Sequence, residues 1–430
     1  MMENNKAFLK FNKLLNFVFE NKQSDFYRLK YKQAGFNPVT DFKSIKDVKK
    51  IPLLTKEELT SADPMKLLFI EKEKVEIISA TSGTSGEPFI TFRSFQSSDH
   101  LGPLKAVDFG KCLFLASPIR THATSYLWAR RGRWVLAGDI HNIPASLQLA
   151  SRFGINTIYT TPTLAIILKD YIERYPKLKE SLRFFWLGGE SVSPAKKSIL
   201  QKLYPKLLFF LGYGISETGG LSVGFQCLSL AKRNDQIYFH PRMDEFYYEI
   251  LNPDTEQEAK EGESGELILT AFFNPATPVI RYKTGDLVSL KKNDCPCGYS
   301  GPLLQVLGRS AHDTVRAGGV ELRKEAIEKP LLNLKDYLKE SFEAHIYENL
   351  VGGKLKIKVL LKLSLKKDVR ESLELRRKIE KEILEKWQLS PRLNLKKAVE
   401  GGLFDPLQIN FVQFPLAAKA RQVLVLHQSL

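Results

Sequence analysis

The sequence predicts an α/β fold: a large N-terminal domain with mostly parallel sheets flanked by helices and a small β-rich subdomain, followed by a small α+β domain. Before residue 237, apolar runs of strand length alternate with helix-like segments, which is the pattern of a parallel sheet. From 237 to 307 the pattern changes to strands separated by turns. The character of the sequence changes again at Gly308-Arg309-Ser310, so we place a domain boundary at 308–314.

The composition is that of a globular protein. The chain has 430 residues, 43% of them hydrophobic, which is enough for two or three packed domains. No apolar run reaches the roughly 20 residues of a membrane span, and the first residues lack the pattern of a signal peptide. Four cysteines in this length do not suggest a disulfide framework. We therefore expect a cytoplasmic protein without a membrane span.

The net charge of +16 raises the question of a nucleic-acid partner. The basic residues are interleaved with acidic ones, and no nucleic-acid-binding motif is present. We therefore expect no nucleic acid, and interpret the charge as a surface with some affinity for polyphosphate ligands.

The individual elements follow from apolar spacing and turn residues. Phe8, Phe11 and Val18 at helical spacing predict a core-packing helix within 7–35. The strands predicted before residue 237 are 75–78, 89–92, 111–116, 134–137, 157–160 and 182–187, with helices near 144–153 and after Pro162. The strands predicted later are 246–251, 266–272, 287–290, 342–347 and 355–363, with a charged helix at 368–387.

Residues 80–88, Ala-Thr-Ser-Gly-Thr-Ser-Gly-Glu-Pro, form a loop of a kind that can bind an anion. Glycine lets the backbone turn where a side chain would clash, so N–H groups and hydroxyls can converge on a phosphate. No Lys-Ser or Lys-Thr follows a glycine here, so this is not a Walker loop. A plain polar turn is the alternative interpretation.

Three cysteines and one histidine form a candidate zinc set. Cys295 and Cys297 lie in one turn, where two thiolates can converge on an ion, and Cys227 and His240 flank a predicted hairpin upstream. Cys₃His is a set that closes a tetrahedral structural zinc site and leaves no open position for catalysis. The alternative is a group of buried thiols with a core histidine.

Three further motifs follow the loop. They are Leu187-Gly188-Gly189-Glu190, Tyr213-Gly214-Ile215-Ser216-Glu217-Thr218 and Tyr282-Lys283-Thr284-Gly285-Asp286. With the loop, they occur in the order and spacing of the adenylate-forming enzymes. The chain most resembles the phenylacetate–CoA ligase-like branch of that superfamily, from about residue 51 to Lys419.

The resemblance implies a two-step ligase reaction. A carboxylate attacks the α-phosphate of ATP, giving an acyl-adenylate and pyrophosphate, and the thiol of coenzyme A then attacks the acyl carbon. The implied partners and cofactors are a small carboxylic acid, ATP, Mg²⁺ and coenzyme A, and some members of the family share the Cys₃His pattern of a structural Zn²⁺ site. A carrier-protein acceptor and a homodimer stay open, and the acid cannot be identified.

The resemblance also implies roles for the motif residues. Glu217 would help bind Mg²⁺, Tyr213 would pack near the adenine, and Asp286 would accept both ribose hydroxyls. The implied ATP-binding residues are Thr81, Ser82, Gly83, Thr84, Ser85, Gly86, Gly189, Glu190, Tyr213, Gly214, Asp286 and Arg309.

The C-terminal part contains the residues that the resemblance assigns to a mobile domain. Asp313 matches the pivot of a mobile domain, Gly318 and Gly319 would line the thiol channel, and Lys419 matches the catalytic adenylation lysine. The implied domains are 1–308, with a zinc-type subdomain at about 221–307, a hinge at 309–314 and a C-terminal domain at 315–430. The chain departs from the family in Ala418, where glycine is usual, and in His312, where an acidic residue is commoner.

Two other functions remain open at this point. A close alternative is an adenylating enzyme that passes the acyl group to a carrier protein or another acceptor. A more distant one is a basic binding protein on a disabled adenylation fold, which requires that Lys419 or Glu217 be misassigned.

Overall fold

The computed structural model describes most of the chain, and every structural statement below concerns the described residues. The residues outside it are 1–3, 81–88, 95–109, 117–124, 127, 130–132, 190–191, 193, 220–221, 234–235, 253–254, 261, 310–313, 352–353, 367, 391–392, 414–421 and 428–430. The chain divides into two compact units. The first unit is Met1–Thr161, Asp170–Gly189 and Lys206–Ser310, and the second is Pro162–Lys169, Glu190–Pro205 and Ala311–Leu430. The domain boundaries given above stay a prediction.

The first unit begins with helices that cover part of its core. The long first helix, Asn4–Phe19, buries Phe11, Leu15 and Val18, so one face points inward as the spacing predicts. Phe11 packs edge-on against Phe272, with ring centroids 5.2 Å apart. The following helical segments are Phe26–Gln33, Pro38–Asp41, Ile45–Lys50, Lys56–Ser61, Pro64–Leu67 and Lys72–Lys74.

A two-stranded hairpin follows these helices. Strands β1 (Ile77–Ala80) and β2 (Ile90–Arg93) are antiparallel, with Ala80 opposite Ile90 and Ile77 opposite Arg93. The predicted anion-binding loop connects the two strands and lies outside the described residues.

A seven-stranded sheet forms the centre of the first unit. Its strands are β3 (Lys111–Phe114), β4 (Trp134–Ala137), β5 (Thr157–Thr160), β6 (Phe184–Leu187), β7 (Leu208–Gly214), β8 (Ser222–Phe225) and β9 (His240–Pro241), in the order β4-β3-β5-β6-β7-β8-β9. Neighbours from β4 to β7 are parallel, and β8 and β9 pair antiparallel. This arrangement confirms the predicted α/β class with a mostly parallel sheet.

Helices connect the parallel strands. They are Ile143–Phe153, Pro162–Ile172, Pro176–Ser181 and Pro194–Leu203, and a short helix, Leu228–Lys232, follows β8. Three of them begin at a proline, whose fixed φ suits the first helical position and whose missing N–H costs nothing there. The first ends at Gly154, whose φ of +60° is the left-handed conformation typical of helix ends.

An antiparallel sheet carries the rest of the first unit. Its strands, in spatial order, are β10 (Phe246–Leu251), β11 (Ser264–Ala271), β12 (Val279–Lys291) and β13 (Leu303–Arg309). The prediction of 287–290 for β12 was too short. Charged residues interrupt its apolar pattern, and one of them, Arg281, is buried because Glu249 pairs with it at 2.8 Å.

The C-terminal part folds around a second sheet. Its strands are β14 (Thr314–Ala317), β15 (Val320–Arg323), β16 (Leu338–Val351), β17 (Lys354–Leu365), β18 (Gln388–Ser390), β19 (Leu393–Asn394), β20 (Gln408–Phe411) and β21 (Gln422–His427). The sheet has the order β20-β17-β16-β21, while β14–β15 and β18–β19 are hairpins. Its helices are Lys324–Leu332, Leu373–Lys386 and Leu395–Glu400. Leu375, Ile379 and Ile383 point from the predicted charged helix into the core of this part.

In the described part of the chain, none of the helices has the length and apolar character needed to span a membrane.

Candidate active site and metal centre

Two motif residues lie at the same edge of the parallel sheet. Leu187, which ends β6, is opposite Leu211 of the neighbouring parallel strand β7. Gly189 lies two residues beyond Leu187, and Tyr213 lies two residues beyond Leu211. Neighbouring strands of a sheet are about 5 Å apart, so Gly189 and Tyr213 come from adjacent strand ends. Gly189 has a φ of +81°, a conformation that favours glycine, and the chain turns away there. Glu190 lies outside the described residues.

Asp286 lies at an irregularity of β12. Glu266 is opposite Leu287 and Ile268 is opposite Lys283, so three residues of β12, 284 to 286, stand against one residue of β11. Gly285 has a φ of +73°, and its N–H donates to Glu266 Oε1 at 3.1 Å. Such bulges bend a strand and re-aim a side chain, and they are common next to active sites. The Thr-Gly-Asp motif therefore sets the direction of the Asp286 carboxylate.

Tyr213 and Asp286 meet although 73 positions separate them in sequence. The Tyr213 hydroxyl donates to Asp286 Oδ2 at 2.6 Å, and Asp286 is 8% exposed. In β13, Arg309 is the residue directly opposite Asp286. The aromatic ring predicted for the adenine and the carboxylate predicted for the ribose are thus adjacent, which is the arrangement that one nucleoside requires.

Glu217 lies on the turn that follows β7. It belongs to a short 3₁₀ helix, Ser216–Thr218, and is half-buried. The Thr218 hydroxyl donates to Ile215 O at 2.8 Å, and the turn ends at Gly219, whose φ is +87°. These contacts fix the turn close to Tyr213. Glu217 can therefore contribute a carboxylate near a nucleotide bound beside Tyr213.

Several predicted site residues lie outside the described part of the chain. They are Thr81, Ser82, Gly83, Thr84, Ser85, Gly86, Glu190, Asp313 and Lys419. Their roles stay predictions.

The four residues of the candidate zinc set come together. The ligand atoms of Cys227, His240, Cys295 and Cys297 all lie within 4.8 Å of one another. The sulfur atoms of Cys227 and Cys295 are 3.4 Å apart, and Cys297 Sγ lies 3.2 Å from His240 Nε2. Around a tetrahedral Zn²⁺ with bonds of about 2.0–2.3 Å, neighbouring ligand atoms would be about 3.5–3.8 Å apart. The donor set and its spacing therefore fit zinc.

The pKa values of His240 and Cys297 are shifted towards the forms that bind a metal ion, and the pKa of Cys295 is shifted away from it. Burial, with a smaller effect of Arg233, lowers the pKa of His240 to about 4, so its imidazole stays neutral at neutral pH. Burial and the neighbouring thiols raise the pKa of Cys295 to about 12. Burial alone would also raise the pKa of Cys297, but hydrogen bonds from the Tyr299 backbone and from the other thiols lower it. The Leu230 N–H lies 3.4 Å from Cys227 Sγ and donates to it. The structure brings the four residues together, and zinc binding stays a prediction.

The glycines predicted for the thiol channel form the turn of the β14–β15 hairpin. Gly318 and Gly319 have φ values of +56° and +79°, so two glycines satisfy a turn that needs a positive φ at both central residues. A Cβ on Gly318 would lie 2.5 Å from Ile357 Cδ1, so a larger residue there would displace the Ile357 side chain. The Gly318 N–H donates to Glu348 Oε1 at 2.7 Å, and Lys196 Nζ lies 2.8 Å from the same oxygen. A buried Lys–Glu pair therefore fixes this turn.

Sequence reasoning missed three residues at these sites. Lys196, Glu348 and Arg93 are all charged and all less than one tenth exposed. Lys196 and Glu348 are 152 positions apart, and no local pattern connects them. Arg93 did carry a signal, because it follows the apolar run Phe-Ile-Thr-Phe as a lone charge at the end of a predicted strand.

The fold and the site define an α/β protein whose candidate nucleotide residues come from the edge of a parallel sheet and from an adjacent antiparallel sheet. Residues 40–271, more than half of the chain, match the family of AMP-binding enzymes, and the chain belongs to this family.

Similar proteins point to one branch of that family. The chain is 29% identical to phenylacetate-coenzyme A ligase from Pseudomonas putida over 346 residues, which cover 75% of this chain and 74% of that protein. It is 30% identical to phenylacetate-coenzyme A ligase from Escherichia coli (strain K12) over 283 residues, covering 61% and 62%. The structure of 2-hydroxyisobutyryl-CoA ligase in complex with 2-HIB-AMP and CoA superposes with a TM-score of 0.70 at 17% identity, covering 98% of this chain and 90% of that one. The structural likeness confirms the predicted fold.

Proposed function

We propose that this protein is an AMP-forming ligase that joins a carboxylic acid to coenzyme A with consumption of ATP. The observation that carries the proposal is the Tyr213–Asp286 pair beside Gly189 at the sheet edge of an AMP-binding enzyme. The similarity to two phenylacetate-coenzyme A ligases supports coenzyme A as the acceptor.

The first step forms a mixed anhydride. A carboxylate oxygen of the acid attacks the α-phosphorus of ATP, the bond from phosphorus to the bridging oxygen breaks, and pyrophosphate leaves. Asp286 accepts the ribose hydroxyls and holds the nucleoside, and the Tyr213 hydroxyl orients the Asp286 carboxylate. Glu217 is the carboxylate that would hold Mg²⁺, which when bound neutralises charge on the phosphates. The ammonium of Lys419 would stabilise negative charge at the α-phosphate.

The second step transfers the acyl group. The thiol of coenzyme A attacks the acyl carbon, the bond to the phosphate oxygen breaks, and AMP leaves. We assign the Gly318–Gly319 turn to the approach of the thiol, as the family resemblance implies. Its small residues leave room for a ligand chain, and the contact of Gly318 with Glu348 holds the turn in shape.

The Cys₃His cluster has a structural role in this proposal. With Cys227, His240, Cys295 and Cys297 all coordinated, a zinc ion would have no open position for a substrate. It would instead join the segment after β8, strand β9 and the 295–297 turn. The carrier-protein acceptor, the homodimer and the cytoplasmic location stay predictions from sequence.

The test is pyrophosphate release from ATP with a panel of carboxylic acids. Phenylacetate is the first acid to try, because it is the substrate named for the similar ligases. We expect release that depends on one class of acid, and a thioester when coenzyme A is added. Pyrophosphate release without a thioester would indicate another acceptor, such as a carrier protein. No release with any acid would support a binding protein on a disabled fold.

A further inference from the structure

Arg93 is a buried cation, and two of its three guanidinium nitrogens have no hydrogen-bond partner among the described residues. It ends β2, and the residue is 5% exposed. Its Nε and Nη2 atoms are buried and make no hydrogen bond to the part of the chain that the structure describes. Burying an unpaired guanidinium costs several kcal/mol, so folded proteins rarely keep one without a use.

The guanidinium remains charged at neutral pH. Burial lowers the pKa of Arg93 to about 10, which is still far above 7. Arg93 therefore carries its full positive charge in the folded protein, and the described residues supply no hydrogen-bonded anion at Nε or Nη2 to compensate it.

The location of Arg93 connects it with the candidate nucleotide site. A Cβ built on Gly219 would lie 3.0 Å from Arg93 Nε and 3.1 Å from Nη2, so the guanidinium lies directly against this glycine. Gly219 ends the turn that carries Glu217, the residue that we propose for Mg²⁺. The Nε–Nη2 edge of Arg93 is therefore beside the turn where a metal-bound phosphate group would lie.

The charge balance of the nucleotide site favours a phosphate as the partner. A triphosphate carries more negative charge than one Mg²⁺ neutralises. Between Lys74 and Arg93 the sequence contains no lysine or arginine, so the predicted phosphate loop has no cation of its own, unlike a Walker loop. Nε and Nη2 lie on one edge of the guanidinium, and this edge can bind two oxygens of a phosphate at once.

We propose that Arg93 binds the β- and γ-phosphates of ATP, and the pyrophosphate that they become, through its Nε and Nη2 donors. The inference rests on the proposed function, because it assumes that ATP is the substrate. It adds a phosphate-binding residue on β2 to the motifs recognised in the sequence.

The test measures pyrophosphate binding and kinetics in the full chain. Titration calorimetry with pyrophosphate and Mg²⁺, and separately with AMP, compares wild type, Arg93→Gln and Arg93→Lys. Arg183→Gln is the matched control, because Arg183 is an exposed arginine of the same unit that donates to the carbonyl of Leu182 at 3.0 Å. Losing hydrogen bonds to a charged group should weaken pyrophosphate binding about tenfold to a hundredfold in Arg93→Gln, with a similar rise in the KM for ATP.

AMP affinity and the KM for the acid should stay within about twofold in Arg93→Gln, since neither ligand contains the β- and γ-phosphates. Arg93→Lys keeps the charge but loses the two-donor edge, so its pyrophosphate affinity should fall by about tenfold. If Arg93→Gln does not fold, the pyrophosphate affinity of Arg93→Lys tests the proposal.

Unchanged pyrophosphate affinity in either folded variant would overturn the proposal. A rise in the KM of the acid alone would overturn it too, and would place Arg93 opposite an anionic group of the acid. If wild type binds neither ATP nor pyrophosphate, the proposed function fails as well, whereas equal binding by wild type and Arg93→Gln removes only the role of Arg93.

Discussion

At the scale of single residues, the proposed nucleotide site combines a tyrosine and an aspartate from different sheets. Sequence motifs predicted a role for each, because Tyr-Gly-x-x-Glu-Thr and Tyr-x-Thr-Gly-Asp are specific patterns. The hydrogen bond between Tyr213 and Asp286 was not predictable, since it depends on the bulge in β12 that directs the carboxylate. Motifs thus identified the residues, and the backbone irregularity explains their contact.

Asp286→Ala should raise the KM for ATP and spare that for the acid. A carboxylate that accepts both ribose hydroxyls contributes hydrogen bonds to a charged group, worth roughly 1.5–3 kcal/mol, so the rise should be about tenfold to a hundredfold. Tyr213→Phe should give a smaller rise, because it removes only the hydroxyl that orients Asp286. Steady-state kinetics with each substrate varied in turn would measure both effects.

Asp244→Ala serves as the control for this experiment. Asp244 is an exposed aspartate of the same unit that pairs with Lys6 at 2.7 Å, and its loss should leave both KM values unchanged. An Asp286→Ala enzyme with a normal KM for ATP would show that Asp286 does not bind the ribose.

At the scale of elements, apolar spacing predicted four strands of the parallel sheet, β3 to β6, but not β7 or the edges of the second sheet. The strands β5 and β4 match the predicted bounds, since each is a short apolar run between turns. The two short edge strands β20 and β21 were not predicted. They are strands because β20 pairs with β17 and β21 pairs with β16. Long-range pairing decides such segments, and a single sequence does not display it.

The proposed zinc site would join three elements, and its loss should therefore affect stability. Cys297→Ser should lower the zinc content from about one ion per chain to nearly none and should lower the Tm, because structural zinc contributes directly to folding. Metal analysis of protein purified without chelator, together with thermal unfolding, would measure both.

Cys112→Ala is the matched control for the zinc experiment. Cys112 is a fully buried thiol in a different hydrophobic cluster, so its loss should lower the Tm through a cavity while zinc content stays unchanged. Wild-type protein without zinc would disprove the metal site.

The buried pair of Lys196 and Glu348 should contribute strongly to the second unit. Their side chains are 4% and 11% exposed, so Glu348→Ala removes the carboxylate that pairs with a buried lysine at 2.8 Å and the acceptor of the Gly318 N–H. Removing one partner of such a pair costs about 3–5 kcal/mol. Urea unfolding and hydrogen exchange should show a lower unfolding midpoint and faster exchange at Gly318.

Two further variants separate this effect from a general loss of charge. Glu371→Ala breaks the exposed pair with Arg376 in the same unit, so it should change stability by less than about 1 kcal/mol. The double variant Lys196→Met with Glu348→Leu removes both charges and should recover much of the lost stability. Equal effects of Glu348→Ala and Glu371→Ala would show that the buried pair has no special role.

At the scale of the whole molecule, the sequence predicted the class of fold and the family, and the domain boundaries stay a prediction. Four motifs in one order identified the AMP-binding family, and the parallel sheet followed from alternating strands and helices. The second unit includes Pro162–Lys169 and Glu190–Pro205, which lie far from residue 311 in sequence. Such grouping arises from packing between segments that are distant in sequence, and local sequence patterns do not predict it.

The last prediction concerns the two half-reactions, which should depend on different residues. Lys419→Ala removes the ammonium that would stabilise charge at the α-phosphate, so pyrophosphate release should fall about 10²-fold or more. It should still convert a supplied acyl-adenylate to the thioester at a near-normal rate. Gly319→Leu should do the reverse, because a large side chain on this exposed turn would obstruct the thiol.

Both half-reactions can be measured separately, one as pyrophosphate release and the other as thioester formation from synthetic acyl-adenylate. Lys397→Ala is the control for charge, since Lys397 is an exposed lysine of the same unit. Gly319 has a φ of +79°, so leucine also strains the turn, and thermal unfolding must show that this variant is folded. Strain alone would slow neither step selectively, whereas an obstructed thiol slows only the second. If Lys419→Ala slows both half-reactions equally, the two steps share one catalytic arrangement, and a lysine that acts in adenylation alone is ruled out.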